Sequence, residues 1–211
     1  MSDSLENQHK ETITTWNKLA KLYEEKFMHL DIYQTTYDAL IEAVSKEKAE
    51  VFEIGCGPGN ISFYILHRCP FWEWKGIDAA SSMVELANQN NPLAHFELGD
   101  ARRLHLPNKS HDALIAGFCI PYLSLAETEH LISQASRFLR VGGVLYLSYV
   151  PGSPERSGFQ TSSTGDRSYF YFFQSEQIQN LLLGRGFEVI RTFHVPYQER
   201  EIHEVIIARL L

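Results

Sequence analysis

A glycine-dense turn after a short apolar stretch is the first place where residue types and spacing could bind a ligand. Residues 51–60 read VFEIGCGPGN, with Gly55, Gly57 and Gly59 spaced as G-x-G-x-G. Glycine permits positive φ angles and lets a ligand approach the bare backbone. A strand followed by such a turn is typical of a parallel sheet that opens onto a bound nucleotide.

Two acids follow the next apolar stretches and fall at comparable positions. Asp78 ends WKGID, and Asp100 follows AHFELG. Ligands of open α/β sheets bind beyond the carboxyl ends of the strands. There Asp78 could accept hydrogen bonds from both hydroxyls of a ribose, because an ionised carboxylate only accepts. Asp100 could accept from the exocyclic amine of a purine. A single acid after a strand is commonly a turn residue, but the combination with the glycine turn favours a nucleoside site.

The spacing of the turn argues against a dinucleotide. In the G-x-G-x-x-G fingerprint the third glycine would fall at Asn60. Glu53 precedes the turn, and a charged carboxylate there would repel a pyrophosphate and attract a ligand that carries an amino group and a sulfonium. The sequence therefore predicts S-adenosylmethionine as the cofactor. A Rossmann-type NAD-dependent oxidoreductase and a non-catalytic adenosyl-binding module stay open as alternatives.

The elements that would position these residues alternate between strand and helix. Periodicity predicts helix over 12–44 with a break near Asp31, and residues 1–10 as frayed. Strands are predicted at 51–54, 74–78, 94–98, 112–118 and 144–150, and helices at 61–68, 82–90, 124–139 and 175–183. The Ser82/Glu85 and Ser124/Glu127 pairs are read as capping boxes, and Gly142-Gly143 as a helix stop. Strands at 187–193 and 204–210 have no helix between them, which favours an antiparallel pair.

This order predicts an α/β, Rossmann-like, doubly wound fold. We expect a mostly parallel seven-stranded sheet with helices on both faces and an antiparallel C-terminal edge strand. The length fits one domain over 1–211. Within it, 1–45 would form a helical lid or cap, 46–150 the cofactor-binding core, and 151–211 a substrate-side loop and the C-terminal edge.

Composition limits the compartment and the partners. The chain has 211 residues, 44% hydrophobic and 21% charged, with a net charge of -7, which is ordinary for a soluble globular protein. The acidic balance disfavours nucleic acid. Three cysteines without metal or disulfide spacing predict no metal and a reducing, cytoplasmic location. The polar N-terminus is no signal peptide, and no apolar run suits a membrane. We expect a small-molecule acceptor as partner and a monomer or homodimer.

Four segments in this order carry a family resemblance. FEIGCGPGN, GIDAAS, LGDAR and GFCIPY resemble the class I S-adenosylmethionine-dependent methyltransferases, over about 51–150. The resemblance implies that the turn wraps the methionine part, that Asp78 holds the ribose, and that Phe118 lies near the sulfonium methyl. The full set of implied cofactor contacts is Tyr23, Glu53, Gly55, Cys56, Gly57, Gly59, Asp78, Ala79, Met83, Asp100, Ala101 and Phe118.

The acceptor side is less defined by sequence. Methyl transfer from a sulfonium needs a base only if the acceptor loses a proton, and no residue is marked as one. His194 and His203 are expected to be surface or hydrogen-bonded histidines, and Cys119 a small buried residue. Candidate substrate contacts are Phe27, Tyr33, Tyr122, Tyr149 and Arg167. The aromatic stripe of the N-terminal helix is read alternatively as core or as a ligand lid, and segment 151–173 as a mobile surface loop or an acceptor-binding segment.

Overall fold

Seven strands form the central sheet of the computed structural model, which describes residues 2–162, 164–198 and 201–211. The sheet order is β3-β2-β1-β4-β5-β9-β8. Its strands are β1 (Glu50–Ile54), β2 (Glu73–Asp78), β3 (His95–Leu98), β4 (His111–Gly117), β5 (Leu139–Tyr149), β8 (Phe187–Gln198) and β9 (Glu201–Leu210). The first five run parallel, and β9 is antiparallel to both neighbours. The predicted fold class is confirmed, with the antiparallel β9 one strand in from the edge that β8 occupies.

Helices cover both faces of the sheet. They are α1 (Ser2–Phe27), α2 (Gln34–Val44), α3 (Asn60–Leu66), α4 (Ser81–Asn90), α5 (Leu125–Phe138) and α6 (Ser175–Leu183). One core cluster packs α5 and α6 onto the sheet, and a second packs α2 and α3 onto the opposite face. β4 is buried almost throughout, because a central parallel strand is covered on both sides.

The N-terminal helix is longer than predicted. The break near Asp31 is confirmed, since α1 ends at Phe27 and α2 begins at Gln34. The expected fraying of residues 1–10 is wrong, because α1 already begins at Ser2, while Met1 lies outside the described residues. His9 and Thr12 are buried against the rest of the chain. Those contacts hold the first turns in place.

Of the two predicted capping boxes, only one is present. The Ser124/Glu127 capping box is confirmed at the start of α5. Ser82 is no cap, because α4 already begins at Ser81. There Asn17 of α1 accepts hydrogen bonds from the Ser82 backbone N–H (2.9 Å) and the Ser81 hydroxyl (3.2 Å). The cap thus comes from a distant segment that local spacing cannot reveal.

The Gly142-Gly143 stop is also wrong. Helix α5 ends at Phe138, and both glycines lie inside β5. Gly142 has a φ of 78°. The register between β4 and β5 shifts just there, between His111 and Ala113. The glycines therefore mark an irregular strand entry and not a helix end.

Segment 151–173 contains a small hairpin. Strands β6 (Gly158–Thr161) and β7 (Arg167–Phe170) pair antiparallel. The hairpin is tied to α1, because the Thr15 hydroxyl donates to the Arg167 carbonyl (2.6 Å) and the Tyr169 N–H donates to the Thr12 hydroxyl (3.0 Å). Among the described helices, none combines the length and apolarity needed to cross a bilayer.

Candidate functional site

The glycine turn lies at the switch in strand order, where β1 and β4 are neighbours. Gly55, Gly57 and Gly59 have φ angles of 69°, 54° and 81°. The Gly55 and Cys56 N–H groups both donate to the Ile77 carbonyl, at 2.8 and 3.0 Å. At Gly59 an added Cβ would lie 2.3 Å from the Asn91 Nδ2. The turn therefore needs glycine for backbone conformation and for space.

Asp78 is fixed beside this turn by backbone donors. Its Oδ2 accepts from the Gly57 N–H and its Oδ1 from the Ala80 N–H, each at 2.9 Å. Burial raises the pKa of Asp78, and these N–H donors oppose the rise. A carboxylate has about four lone-pair sites. Each oxygen can therefore still accept from a ligand hydroxyl.

Two chambers adjoin the glycine turn. The smaller one opens beyond Asp78 and has a volume of about 140 Å³. It lies between α1 and the ends of β1, β2, β3 and β4. The predicted cofactor contacts that line it are Tyr23, Gly55, Gly57, Asp78, Ala79, Met83, Asp100, Ala101 and Phe118. Gly59 shapes the turn without lining the chamber. Glu53 and Cys56 line the neighbouring cavity instead.

Asp100 is already engaged by an arginine. The Arg102 guanidinium donates to its carboxylate through Nε (2.9 and 3.0 Å) and Nη2 (2.7 Å), and the Arg102 N–H donates at 2.9 Å. Burial by itself raises the pKa of Asp100, but the bonds from Arg102 outweigh it, and the pKa is lowered. The carboxylate is ionised and mostly occupied, so it is a poorer free acceptor than Asp78.

The same arginine connects α1 to the chamber. Arg102 Nη1 lies 3.2 Å from Glu6, and His9 Nε2 lies 3.1 Å from Glu127 Oε1. Burial raises the pKa of Glu127, while His9 and Ser124 lower it more, to about 2. Charged groups therefore hold the first half of α1 over the smaller chamber.

A larger chamber of about 600 Å³ adjoins the smaller one. Phe27, Tyr33 and Tyr122 line it, together with Arg156 and His203. It is enclosed by α1, segment 151–173 and the β8–β9 pair. Many of its lining residues are aromatic, and they come from segments far apart in sequence.

The structure does not bring Tyr149 and Arg167 to either chamber. Tyr149 is fully buried in the core cluster of α5 and α6, and its hydroxyl donates to Glu204. Arg167 lies on the outside of the hairpin, where it pairs with Glu11 and its guanidinium stacks 4.1 Å from the Phe159 ring. Both residues are close in sequence to residues that line the larger chamber, but their own side chains point away from it.

The two chambers share one wall. It is formed by Trp16, Tyr23, Gly55, Gly57, Gly117, Phe118 and Tyr122. Phe118 has a φ of 52°, which is unusual for a bulky residue. Its N–H donates to the Ser148 hydroxyl at 2.9 Å. The strained backbone turns the Phe118 ring into the junction between the chambers.

Glu53 differs from the expectation on one point. Its carboxyl is buried and accepts from the Trp74 indole N–H at 3.0 Å. Burial raises the pKa of Glu53 to about 8, so the side chain is largely protonated at neutral pH. The premise that a charged Glu53 repels a pyrophosphate is wrong for the protein without ligand.

His203 is the residue whose position the sequence did not indicate. It is buried and hydrogen-bonded, while His194 is exposed. Its ring lies parallel to Tyr33 (3° between planes) and stacks on Tyr197 at 4.5 Å. It also lines the larger chamber. Only the alternation Glu201-x-His203 in β9, which places both on one face, could have hinted at it.

Within the described ranges, no cluster of three or more His, Cys, Asp or Glu side chains could hold a metal ion. Cys56 and Cys119 are buried free thiols, and Cys69 is partly exposed. Burial raises the pKa of the Cys56 and Cys119 thiols. Both thiols are therefore protonated at neutral pH.

Comparison with known proteins gives related sequences and folds. A family model described as a methyltransferase domain matches residues 51–143. A trans-aconitate 2-methyltransferase of Variovorax paradoxus is 31% identical over 99 residues, 47% of this chain and 38% of that protein. The chain spans half the length, or less, of this relative and of two others, a viral protein and a Thermotoga maritima protein.

Solved structures share the fold. A methyltransferase from Methanosarcina mazei superposes with a TM-score of 0.70 at 22% identity, covering 82% of this chain and 97% of that one. A [4+2]-cyclase superposes with a TM-score of 0.64 at 19% identity, covering 83% and 80%. Similarity at this level concerns the fold alone, and the second protein indicates that the fold also serves other chemistry.

Proposed function

We propose that this chain, which belongs to the class I S-adenosylmethionine-dependent methyltransferases, transfers a methyl group from that cofactor to a small-molecule acceptor. The observation that carries the proposal is the pair of adjoining chambers with one shared wall at the switch in strand order. A two-substrate transfer needs two sites whose ligands meet at one point, and this arrangement supplies them.

S-adenosylmethionine would be recognised in the smaller chamber through its hydrogen-bond donors. Asp78 would accept from the ribose hydroxyls, since both oxygens keep free lone pairs beside the glycine turn. Ala79 and Met83 would flank the adenosine, and the Ala101 backbone would lie beside the adenine. Arg102 already donates to the Asp100 carboxylate. The adenine amine would therefore donate to Asp100 in addition to Arg102 and not in its place. The methionine part would follow the turn toward the shared wall.

The larger chamber supports a small acceptor. It is enclosed on one side by α1 and on another by the hairpin segment, and many of its lining residues are aromatic. Such concave, mostly apolar cavities with a few polar groups suit small ligands. The net charge of -7 works against a nucleic acid. The Variovorax relative is named for trans-aconitate, a small molecule.

Transfer would proceed by in-line displacement at the shared wall. The acceptor atom attacks the methyl carbon, and the carbon–sulfur bond breaks with its electron pair going to sulfur. A sulfonium is already activated, so the protein would contribute proximity, orientation and exclusion of water. Phe118 and Tyr122 would border the reacting atoms, and Tyr23 would cover them from α1 as a lid.

Calorimetry with S-adenosylhomocysteine tests the cofactor site. Asp78→Asn is expected to weaken binding by about 10- to 100-fold, since it removes the charge and replaces one acceptor oxygen by an NH2 group that can only donate. Asp38→Asn is the matched control, because Asp38 lies exposed on α2 next to Tyr64 and should bind like wild type. Equal affinities of the two variants would reject this site.

Two further measurements separate the alternatives. Binding of NADH without binding of S-adenosylhomocysteine would return the choice to an oxidoreductase. Incubation with S-adenosylmethionine and a panel of small acceptors should release S-adenosylhomocysteine. Firm cofactor binding with no turnover across the panel would instead favour a non-transferring role, which the [4+2]-cyclase fold neighbour makes a definite rival.

A further inference from the structure

We propose that Tyr33, His203 and Glu201 form a proton relay that removes a proton from the acceptor during methyl transfer. The acceptor would then be a molecule whose methylated atom still carries an ionisable hydrogen at neutral pH, such as a hydroxyl or a protonated amine. The inference rests on the proposed function and deepens it, because it names the substrate class of the larger chamber.

Three side chains from two distant segments meet at this point. Glu201 and His203 alternate on β9 and share one face of the strand. Tyr33 comes from the segment directly before α2. The Tyr33 hydroxyl is hydrogen-bonded to His203 Nδ1, and His203 Nε2 lies 2.6 Å from Glu201 Oε1. The order carboxylate, imidazole, hydroxyl is that of an oriented base acting on a hydroxyl.

The relay lies next to the wall that the chambers share. Tyr33 and His203 both line the larger chamber. The Phe118 ring, part of the shared wall, contacts them edge-on, with centroids 5.6 Å from Tyr33 and 4.7 Å from His203. An acceptor placed against Phe118 for methyl transfer would therefore lie in the same chamber as Tyr33, and the relay requires its reacting atom to reach the Tyr33 hydroxyl directly.

The hydrogen bonds fix the direction of proton flow. An ionised Glu201 carboxylate only accepts hydrogen bonds, so His203 Nε2 carries the hydrogen. His203 Nδ1 then has a free lone pair, which accepts from the Tyr33 hydroxyl. When the acceptor attacks, its proton passes to the Tyr33 oxygen and the Tyr33 proton passes to Nδ1. One bond forms between acceptor and methyl carbon, the carbon–sulfur bond breaks, and the released proton ends on His203. Glu201 then stabilises the imidazolium.

The surroundings suit a neutral resting ring. Burial lowers the pKa of His203, and Glu201 opposes that shift only in part. Burial raises the pKa of Tyr33, so its hydroxyl rests protonated. Besides Glu201, the titratable neighbours are Tyr33 before α2 and Tyr197 on β8, whose ring has the Lys26 ammonium at 5.9 Å. Arg156 and Glu53 lie elsewhere in the chamber wall.

Ring-nitrogen NMR of the histidine-labelled full chain tests the relay without any acceptor. His203→Gln identifies the signal, and His194→Gln is the control, because His194 is an exposed histidine on the neighbouring strand. We expect His203 to be neutral at pH 7.5 with hydrogen on Nε2 and none on Nδ1. Glu201→Gln should lower the pKa of the ring. A ring with hydrogen on Nδ1, or a cationic ring at pH 7.5, would overturn the proposal.

Turnover provides the second readout once the panel has identified an acceptor. Tyr33→Phe and His203→Gln should each lower kcat by about 100-fold, with the KM for S-adenosylmethionine within about twofold of wild type. Glu201→Gln should shift the acidic limb of the pH–rate profile, which a packing defect would not do. The control Tyr64→Phe removes a tyrosine hydroxyl that is bonded to Asp38 and lies outside both chambers. Wild-type kcat and pH profile in Tyr33→Phe would reject the relay.

The two proposals fail in different ways. Normal binding of S-adenosylhomocysteine together with the wrong His203 tautomer rejects the relay and leaves methyl transfer standing. Absence of that binding in the wild type rejects the proposed function itself. A best acceptor whose methylated atom carries no proton at the assay pH, such as a carboxylate oxygen or a nitrogen without hydrogen, would also count against the relay alone.

Discussion

The two chambers are built in different ways. The smaller one is made mainly by backbone at strand ends, with the glycine turn on one side and the Asp78 carboxylate fixed by N–H donors. The larger one is made by side chains from α1, the segment before α2, the hairpin region and the β8–β9 pair. A backbone-built site follows from local sequence order, whereas a site built from side chains depends on how distant segments pack.

Helix α1 covers both chambers, and it is held differently over each. Over the smaller one it is tied by Arg102 to Glu6 and by His9 to Glu127. Over the larger one the contacts are aromatic, with Trp16 and Tyr122 at 5.5 Å and Phe27 and Tyr197 at 6.3 Å between centroids. The first kind of contact depends on pH and salt, and the second does not.

The largest effect is expected from Gly59→Ala in the backbone-built chamber. Its φ of 81° is unfavourable for alanine, and the new Cβ would lie 2.3 Å from Asn91 Nδ2. Asn91 is buried and holds the Gly59 carbonyl at 3.0 Å. Backbone strain and overpacking together should lower the free energy of unfolding by about 3 kcal/mol, measured by urea denaturation.

Gly165→Ala is the matched control for that variant. Gly165 has a φ of 82°, and no atom lies within 4 Å of its added Cβ. It should show the backbone strain alone, about 1 kcal/mol. Equal destabilisation by the two substitutions would mean that the packing against Asn91 does not matter for the turn.

Glu53→Gln tests the buried acid in the lining of the larger chamber. The folded-state pKa of Glu53 is raised to about 8, so the folded chain prefers the protonated form. That stability is fully present below the unfolded-state pKa and is lost as pH rises through 8. Glutamine mimics the neutral acid and does not titrate. The unfolding free energy of the variant minus that of the wild type should therefore grow by about 3 kcal/mol between pH 5 and 9. Parallel urea-stability curves for the two proteins would contradict a neutral Glu53.

The sequence predicted the backbone-built chamber better than the chamber that is built from side chains. The strand–turn–acid order predicted which residues lie together, since Gly55, Asp78 and Met83 do line one chamber, while their contact with the cofactor stays a prediction. Tyr149 was misplaced because neighbouring strand residues face opposite sides of a sheet. His203 was missed because its partner Tyr33 lies 170 residues away in sequence. The Asn17 cap on α4 escaped for the same reason, since tertiary contacts leave no local pattern.

Glu127→Gln tests the charged side of the α1 contact. Glutamine can keep the capping box with Ser124, but it removes the charge facing His9 and Arg102. The pKa of Glu127 is lowered to about 2. The stability that its charge contributes to the folded protein is therefore fully present above the unfolded-state pKa of about 4.3 and is lost as pH falls through 2. At pH 7 the variant should be less stable by about 2 kcal/mol, and the gap should narrow toward pH 3. A gap that stays constant across urea melts at pH 7, 5 and 3 would show that packing, not charge, is lost.

The smallest effect separates the two chambers along α1 itself. Tyr23 lines both chambers, whereas Phe27, one helical turn later, lines only the larger one. Tyr23→Ala should weaken binding of S-adenosylhomocysteine by about tenfold, or ~1.4 kcal/mol, because it uncovers the shared wall. Phe27→Ala removes a ring of similar size from the same helix and should change that affinity by less than about twofold. Calorimetry on both variants decides the division: equal losses would mean that α1 acts as one cover and that the boundary at Tyr23 has no energetic meaning.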